Sequence, residues 1–472
     1  MFMRVPLRNL SANVAQQIIN QFFGLVIFYV LSRNMDKSGF GELNWCLAFL
    51  LIAFSILSFG LDQLTVKKIA SGEKPAHAVG IFSLHVLIAG GLFYAGLIII
   101  YFFYPHMPML LMLLALGAGK LMIFLSLPFK QAAMGLEKFT SYALMSIISN
   151  VVRGVALIIC GMLHVLDVRL VIVIFIIGDA TEYIATILLY RYRIKMHFQF
   201  KSLTFNYFGE LKEASPQIGV ILATAAIARF DWLFIGVFAS AASLAEYSFT
   251  YKAYEMSTLP LLVIGPLLVP RFVKYFQKRN EMAFVYSILR IEMIICSLIM
   301  VVVNILWTPV IDMITKGRYG AVNSKVVFLL TLCTPFLYIN NILWTIAFAK
   351  GQLKGIFKII FTACCVNIIA DILLIPFMGN IGAALACLLS LVVQMLLYCR
   401  LEKSVSFGSI GYAAIVYPLL AVIAIGSASV FAEYIGMALF MGIAVFFTMV
   451  LLVNKFIRQD ISSGLELLSS NV

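Results

Sequence analysis

The sequence is short of charge. Lys, Arg, Asp and Glu make up 12% of its 472 residues, whereas hydrophobic residues make up 63%. A soluble chain of this length must cover its surface with polar groups, so that class is excluded. Alternation is lacking too. The apolar runs are continuous and about 20 residues long, which argues against a transmembrane β-barrel. Metal-type cysteine spacing is absent: Cys46, Cys160, Cys296, Cys333, Cys364, Cys365, Cys387 and Cys399 fall within or at the ends of apolar runs and read as small packing residues. The sequence also has no phosphate-binding glycine loop, metal cluster or nucleophile–base constellation. It therefore does not read as an enzyme and implies no cofactor. No cleavable signal peptide is expected, because the first apolar run is too long and lacks a small-residue cleavage site; it should stay as the first span.

What the sequence has is fourteen apolar runs, at roughly 9–32, 40–63, 79–103, 108–129, 139–163, 168–191, 213–238, 244–270, 282–308, 324–349, 355–376, 380–400, 409–431 and 434–455. They predict an all-α, polytopic membrane protein with about 14 transmembrane helices. The basic residues test that count. With the N-terminus in the cytoplasm, 23 of them fall in cytoplasmic segments, Lys130 among them, and six on the opposite side: Arg33, Lys37, Arg169, Lys316, Arg318 and Lys325. This bias supports a multi-pass topology with both termini cytoplasmic. It also accounts for most of the net charge of +13, which therefore gives no reason to invoke nucleic acid.

The longest loop is basic and follows the sixth run. Taking it as an inter-lobe linker gives a six-helix lobe at 1–192, a cytoplasmic linker at 193–212, a second six-helix lobe at 213–403, and two further helices with a tail at 404–472. The halves are weakly alike: Asn150 in SIISNVVRGVALII and Asn367 in ACCVNIIADILLIP hold similar positions in the fifth helix of each. Six spans per half give both the same orientation, a parallel pseudo-repeat that is expected to place its site where the repeats meet.

Five basic residues remain inside spans: Lys120, Arg153, Arg229, Lys252 and Arg290. The acidic residues there are Glu42, Asp62, Asp179, Glu182, Asp231, Glu246, Glu255, Glu292 and Asp371. Glu42, Asp62, Glu246, Arg290 and Glu292 lie near span ends, where side chains can reach the interface. The others sit at depth, where each costs about 2.5–3.5 kcal/mol on insertion scales and implies a wet interior or a partner. The stretch from Leu211 to Arg271 is notable for carrying Arg229, Asp231, Glu246, Lys252 and Glu255.

Three stretches carry a resemblance. LSRNMDKSGFGELNW followed by SFGLDQLTVKKIA resembles the opening signature of polysaccharide-type lipid flippases, with Phe-Gly and then Gly-Leu-Asp before a basic loop. NIIADILLIPFMGNIGAALACLLS is similar to the hairpin of spans 11 and 12 in the wider multidrug/oligosaccharidyl-lipid/polysaccharide exporter superfamily, with Pro376, Gly379, Gly382, Ala383 and Ala384 at its marked positions. The resemblance implies two six-helix lobes plus two C-terminal helices, alternating access, a bacterial inner membrane, and an undecaprenyl-diphosphate-linked oligosaccharide such as an O-antigen repeat unit as substrate. Glycan polymerase and other assembly proteins are the partners it implies.

Such a substrate presents phosphates to arginine or lysine and a glycan to polar and aromatic side chains. Depth selects Arg153, Arg229, Lys252 and Lys120 for the diphosphate. Tyr247, Tyr251 and Tyr254 share one helix face and could stack on sugars, while Gln17 and Asn20 could line the cavity for the substrate or hydrogen-bond across helices. Asp62, Asp179, Glu182 and Asp371 are the candidates for coupling or gating. Each has a plainer alternative: Arg153 paired with Asp179 or Glu182, Arg229 with Asp371, the tyrosines as a packing stripe, and His85 as a satisfied packing residue. Two other functions stay open, a cation-coupled drug exporter of the same superfamily and a non-transporting scaffold of glycan assembly.

Overall fold

The computed structural model describes residues 7–194, 207–261, 272 and 283–453, with side chains from Ala15 onward apart from positions 216, 220, 283 and 284. Among the described residues the chain is helical, without strands. Thirteen helices among the described residues are long and apolar enough to cross a membrane. The expected run at 244–270 is seen as a helix over its first part only; residues 262–270 lie outside the described set. Large apolar side chains point outward all along these helices, Leu92, Ile99, Phe377 and Leu452 among them, as lipid contact requires.

The chain forms two compact units, Met1–Ala245 and Glu246–Val472. The first contains α1 (Leu7–Asn34), α2 (Lys37–Leu57), α3 (Leu61–Ala70), α4 (Pro75–Phe103), α5 (Pro108–Gly135), α6 (Phe139–Met162), α7 (Val168–Leu189) and α8 (Tyr207–Phe238). Helix α9 (Ala241–Ser257) crosses the division. The second unit continues with α10 (Ala283–Thr315), α11 (Ser324–Ala349), α12 (Leu353–Met378), α13 (Asn380–Leu401), α14 (Phe407–Ser429) and α15 (Ile435–Val453). In the first unit α6 packs on α1 and α7, α5 on α4 and α7, and α8 on α2. In the second, α13 packs on α11 and α12, while α10 packs on α11, α14 and α15.

Local chemistry sets the helix ends. Pro75 and Pro108 open α4 and α5 from first-turn positions where no amide hydrogen is needed. Asp36 caps α2 by accepting from the Gly39 amide, and Asp167 caps α7 by accepting from Leu170. Gly379, at φ +54°, turns the chain between α12 and α13. The next glycine brings these helices together: a Cβ on Gly382 would lie 2.5 Å from the Leu374 carbonyl oxygen.

Two boundaries differ from the sequence reading. The second apolar run, expected to continue to residue 63, breaks at Phe59 and Gly60, both with positive φ. Asp62 therefore lies in the first turn of the separate ten-residue helix α3, outside the span, where a helix N-terminus favours a carboxylate. The expected division before residue 213 also differs from the unit boundary after Ala245. The reason is that α8 lies close along α2. Trp45 Nε1 donates to the Leu233 carbonyl at 3.2 Å, and a Cβ on Gly236 would meet the Trp45 ring. Most of the expected linker, residues 195–206, falls outside the described residues.

Candidate functional site

Helices α5, α6 and α7 bring five charged side chains together. Asp179 and Glu182 are one turn apart on α7, and Ser149 and Arg153 one turn apart on α6, so each pair shares a face. Arg153 is 6% exposed and Asp179 2%. The Arg153 guanidinium donates to Asp179 Oδ1 and lies 4.7 Å from the centre of the Phe175 ring. The other oxygen, Oδ2, is 3.5 Å from Lys120 Nζ. Two glycines make room for this arrangement. A Cβ on Gly119 would lie 2.8 Å from Asp179 Oδ2, and one on Gly178 would lie 2.7 Å from Arg153 Cγ.

Glu182 is held differently. Its Oε1 accepts from Lys130 and its Oε2 from the Ser149 amide at 3.0 Å. The sequence reading placed Lys130 in a cytoplasmic loop. It lies instead inside α5, 6% exposed, because the helix runs on to Gly135 past Pro128. The bundle thus contains Lys120, Lys130 and Arg153 against Asp179 and Glu182, one positive charge in excess.

Helix α1 adds neutral polar groups beside α6. Asn20 accepts from the Asn150 side chain at 3.0 Å. Gln17 has a buried Oε1 with no hydrogen-bond partner. The approach is close: a Cβ on Gly154 would be 2.4 Å from the Phe23 ring.

The other candidates lie outside this cluster. Arg229, on α8, stacks 4.4 Å from the centre of the Trp232 ring and donates to the Ala228 carbonyl. Lys252 pairs with Glu255 one turn on, at 2.7 Å. Tyr247, Tyr251 and Tyr254 are buried and pack on one another, with ring centres 5.9 and 5.4 Å apart. Asp371 is buried on α12 and Asn367 lies one turn before it. Glu292 does not snorkel. It sits ten residues into α10, 1% exposed, and neither carboxylate oxygen has a hydrogen-bond partner.

A second polar cluster joins α3 to the start of α8. Lys68 Nζ pairs with Glu210 at 2.5 Å and with Glu213 at 3.1 Å. Burial disfavours the Lys68 charge, but the bonds to Glu210 and Glu213 outweigh it and hold the ammonium above the ordinary lysine range. Burial pushes the Asp62 carboxyl up, against the opposing pull of the Gln63 amide and its own. Beside them, His85 Nε2 is 2.7 Å from the Leu57 carbonyl, which can only accept, so Nε2 carries the hydrogen. Nδ1 then accepts from the Tyr207 hydroxyl at 2.9 Å. Both nitrogens of this histidine are satisfied.

Sequence reasoning had proposed the Arg153–Asp179 pair as one alternative but missed Lys130, the Ser149 amide and the two glycines. The signal for the carboxylates was their depth in an apolar run. The glycines leave no such trace, since their role is to admit side chains from other helices.

A multi-pass helical bundle with charges buried at membrane depth defines the class as a polytopic transporter-type fold. Solved structures agree. The lipid II flippase MurJ, in an inward closed conformation, superposes with a TM-score of 0.74 at 16% identity, over 93% of this chain and 98% of that one. An inward-facing multidrug resistance MATE family transporter of the MOP superfamily gives 0.65 at 12% identity, over 83% and 98%. The MATE transporter VcmN of Vibrio cholerae, in bent form, gives 0.51 at 13%, over 87% and 99%. No curated protein sequence matches significantly. The family profile described as polysaccharide biosynthesis protein matches residues 7–276, and the chain belongs to that family. The fold is the one these flippase and transporter structures share.

Proposed function

We propose that this chain is a flippase. It carries an undecaprenyl-diphosphate-linked oligosaccharide, an O-antigen or similar repeat unit, from the cytoplasmic to the periplasmic leaflet of a bacterial inner membrane by alternating access. The observation that carries the reading is the excess of cation buried among α5, α6 and α7, where Lys120, Lys130 and Arg153 face two carboxylates. A net positive cluster at membrane depth suits a diphosphate, whose charge cannot cross hydrocarbon unaided. An organic cation would be repelled by it.

In this reading Arg153 and Lys120 take the diphosphate, the arginine fork suiting two oxygens at once. Gln17 and Asn20, on the adjoining α1, hydrogen-bond to the glycan, and Arg229 supplies a further cation. Tyr247, Tyr251 and Tyr254, packed on one another, form an aromatic wall within the second unit. The polyprenyl tail stays in the bilayer, against the outward apolar faces. The basic bias orients the chain with both termini in the cytoplasm.

Arg153→Ala and Arg229→Ala are each expected to abolish surface glycan in cells while membrane protein levels stay unchanged. Normal glycan in both variants would overturn the assignment.

A further inference from the structure

The two carboxylates on α7 do not do the same work. Glu182 is complete, with each oxygen taken by its own donor, Lys130 on one side and the Ser149 amide on the other. Asp179 is shared. Its Oδ1 belongs to Arg153 and its Oδ2 reaches Lys120 at 3.5 Å, beyond a short charged hydrogen bond. The Arg153 fork is also unfinished: its buried Nε, packed against Gly178, has no hydrogen-bond partner. A pair serving only as a brace has every reason to satisfy its donors, because an unmet buried donor costs stability. Lys120, with 23% of its side chain exposed, retains access to a ligand that Arg153 and Asp179 lack.

We propose that Asp179 is an internal counter-ion that competes with the substrate for Arg153 and Lys120. In the empty carrier its carboxylate holds the two cations; an incoming phosphate group displaces it from them, and its return helps to expel the phosphate after translocation. Lys120 and Arg153 are never left as two uncompensated cations, and the phosphate is not held so tightly that it cannot leave. The proposal rests on reading this cluster as the diphosphate site. It adds that the site contains its own competing anion, one turn from a carboxylate that is not exchanged.

The test uses the full chain in detergent with farnesyl diphosphate as the probe, its affinity measured by calorimetry. Asp179→Asn is expected to bind the probe about tenfold tighter, since one competing charged contact is removed, and to flip lipid-linked substrate more slowly in proteoliposomes. Gly119→Ala keeps every charge but sets a methyl carbon 2.8 Å from Asp179 Oδ2, too close for carbon and oxygen; the carboxylate must then shift, which disturbs its contact with Lys120. It is expected to tighten binding about threefold and carries the test if Asp179→Asn fails to fold. Lys120→Gln and Arg153→Gln are expected to weaken binding about tenfold. Wild-type or weaker affinity in both Asp179→Asn and Gly119→Ala, with the two cation variants weakened, overturns the counter-ion while the site stands. Wild-type affinity in both cation variants overturns the site itself.

Discussion

One helical turn on α7 separates two buried carboxylates with opposite characters. Glu182 is one turn nearer the C-terminal end of α7, closed off by Lys130 and the Ser149 amide. Asp179 lies deeper, shared between Arg153 and Lys120, beside an arginine donor left unmet. Similar chemistry in the same three helices gives a finished brace in one place and an unfinished, exchangeable contact in the other. The second contact separates the two, 3.0 Å to the Ser149 amide against 3.5 Å to Lys120, together with the unmet arginine donor, since burial is nearly the same for both. Deep charge in a membrane protein therefore need not all be functional or all be structural.

The comparison can be broken most forcefully at the brace. Lys130→Met removes the partner of a buried carboxylate, and losses of about 3–5 kcal/mol accompany such removals. The variant is expected to show a large fall in melting temperature in detergent. Arg153→Gln leaves Asp179 within reach of Lys120, and a much smaller fall is expected. Equal falls would erase the distinction between the two carboxylates.

A smaller effect is expected at the cluster joining α3 to α8. Lys68→Met should cost about 1–3 kcal/mol, because Lys68 and Glu210 are mostly shielded from solvent. The sign of the pH dependence follows from the Lys68 shift. A lysine held above its unfolded value of about 10.4 contributes fully below that pH and loses the contribution as pH rises through the folded value. The difference in stability between wild type and Lys68→Met, followed by thermal unfolding, is therefore expected to be constant at neutral pH and to shrink only in strong alkali. The smallest effect belongs to Asn20→Ala, which breaks one neutral hydrogen bond to Asn150. About 0.6 kcal/mol is expected for such a bond between membrane helices, with unfolding in a denaturing detergent titration as the readout.

Much of the fold could be read from the sequence because lipid forces it into view. A spanning helix must be continuously apolar, and fourteen runs said so. What was misread lay where an apolar run continues although the helix does not, or the reverse. The second run passes through Gly60, but a left-handed turn there puts Asp62 on a separate helix. The fourth run ends near residue 129 by composition, yet α5 continues to Gly135 and buries Lys130. Glu292 looked like an end residue, but it is 1% exposed inside α10. At the site, the residue types and their depth were legible: Arg153, Lys120 and Asp179 stand out in apolar runs. Their sharing was not legible. It depends on which faces of three helices meet and on the absent side chains of Gly119 and Gly178.

The central claim is that the buried cations serve an anionic, lipid-linked substrate. Its most direct test is transport by the purified chain in proteoliposomes, offering a labelled polyprenyl-diphosphate oligosaccharide in one set and an organic cation dye in another. The account predicts translocation of the oligosaccharide lipid, lost in Arg153→Gln, and no transport of the dye. Transport of the dye, with the oligosaccharide lipid left in its leaflet, would contradict it.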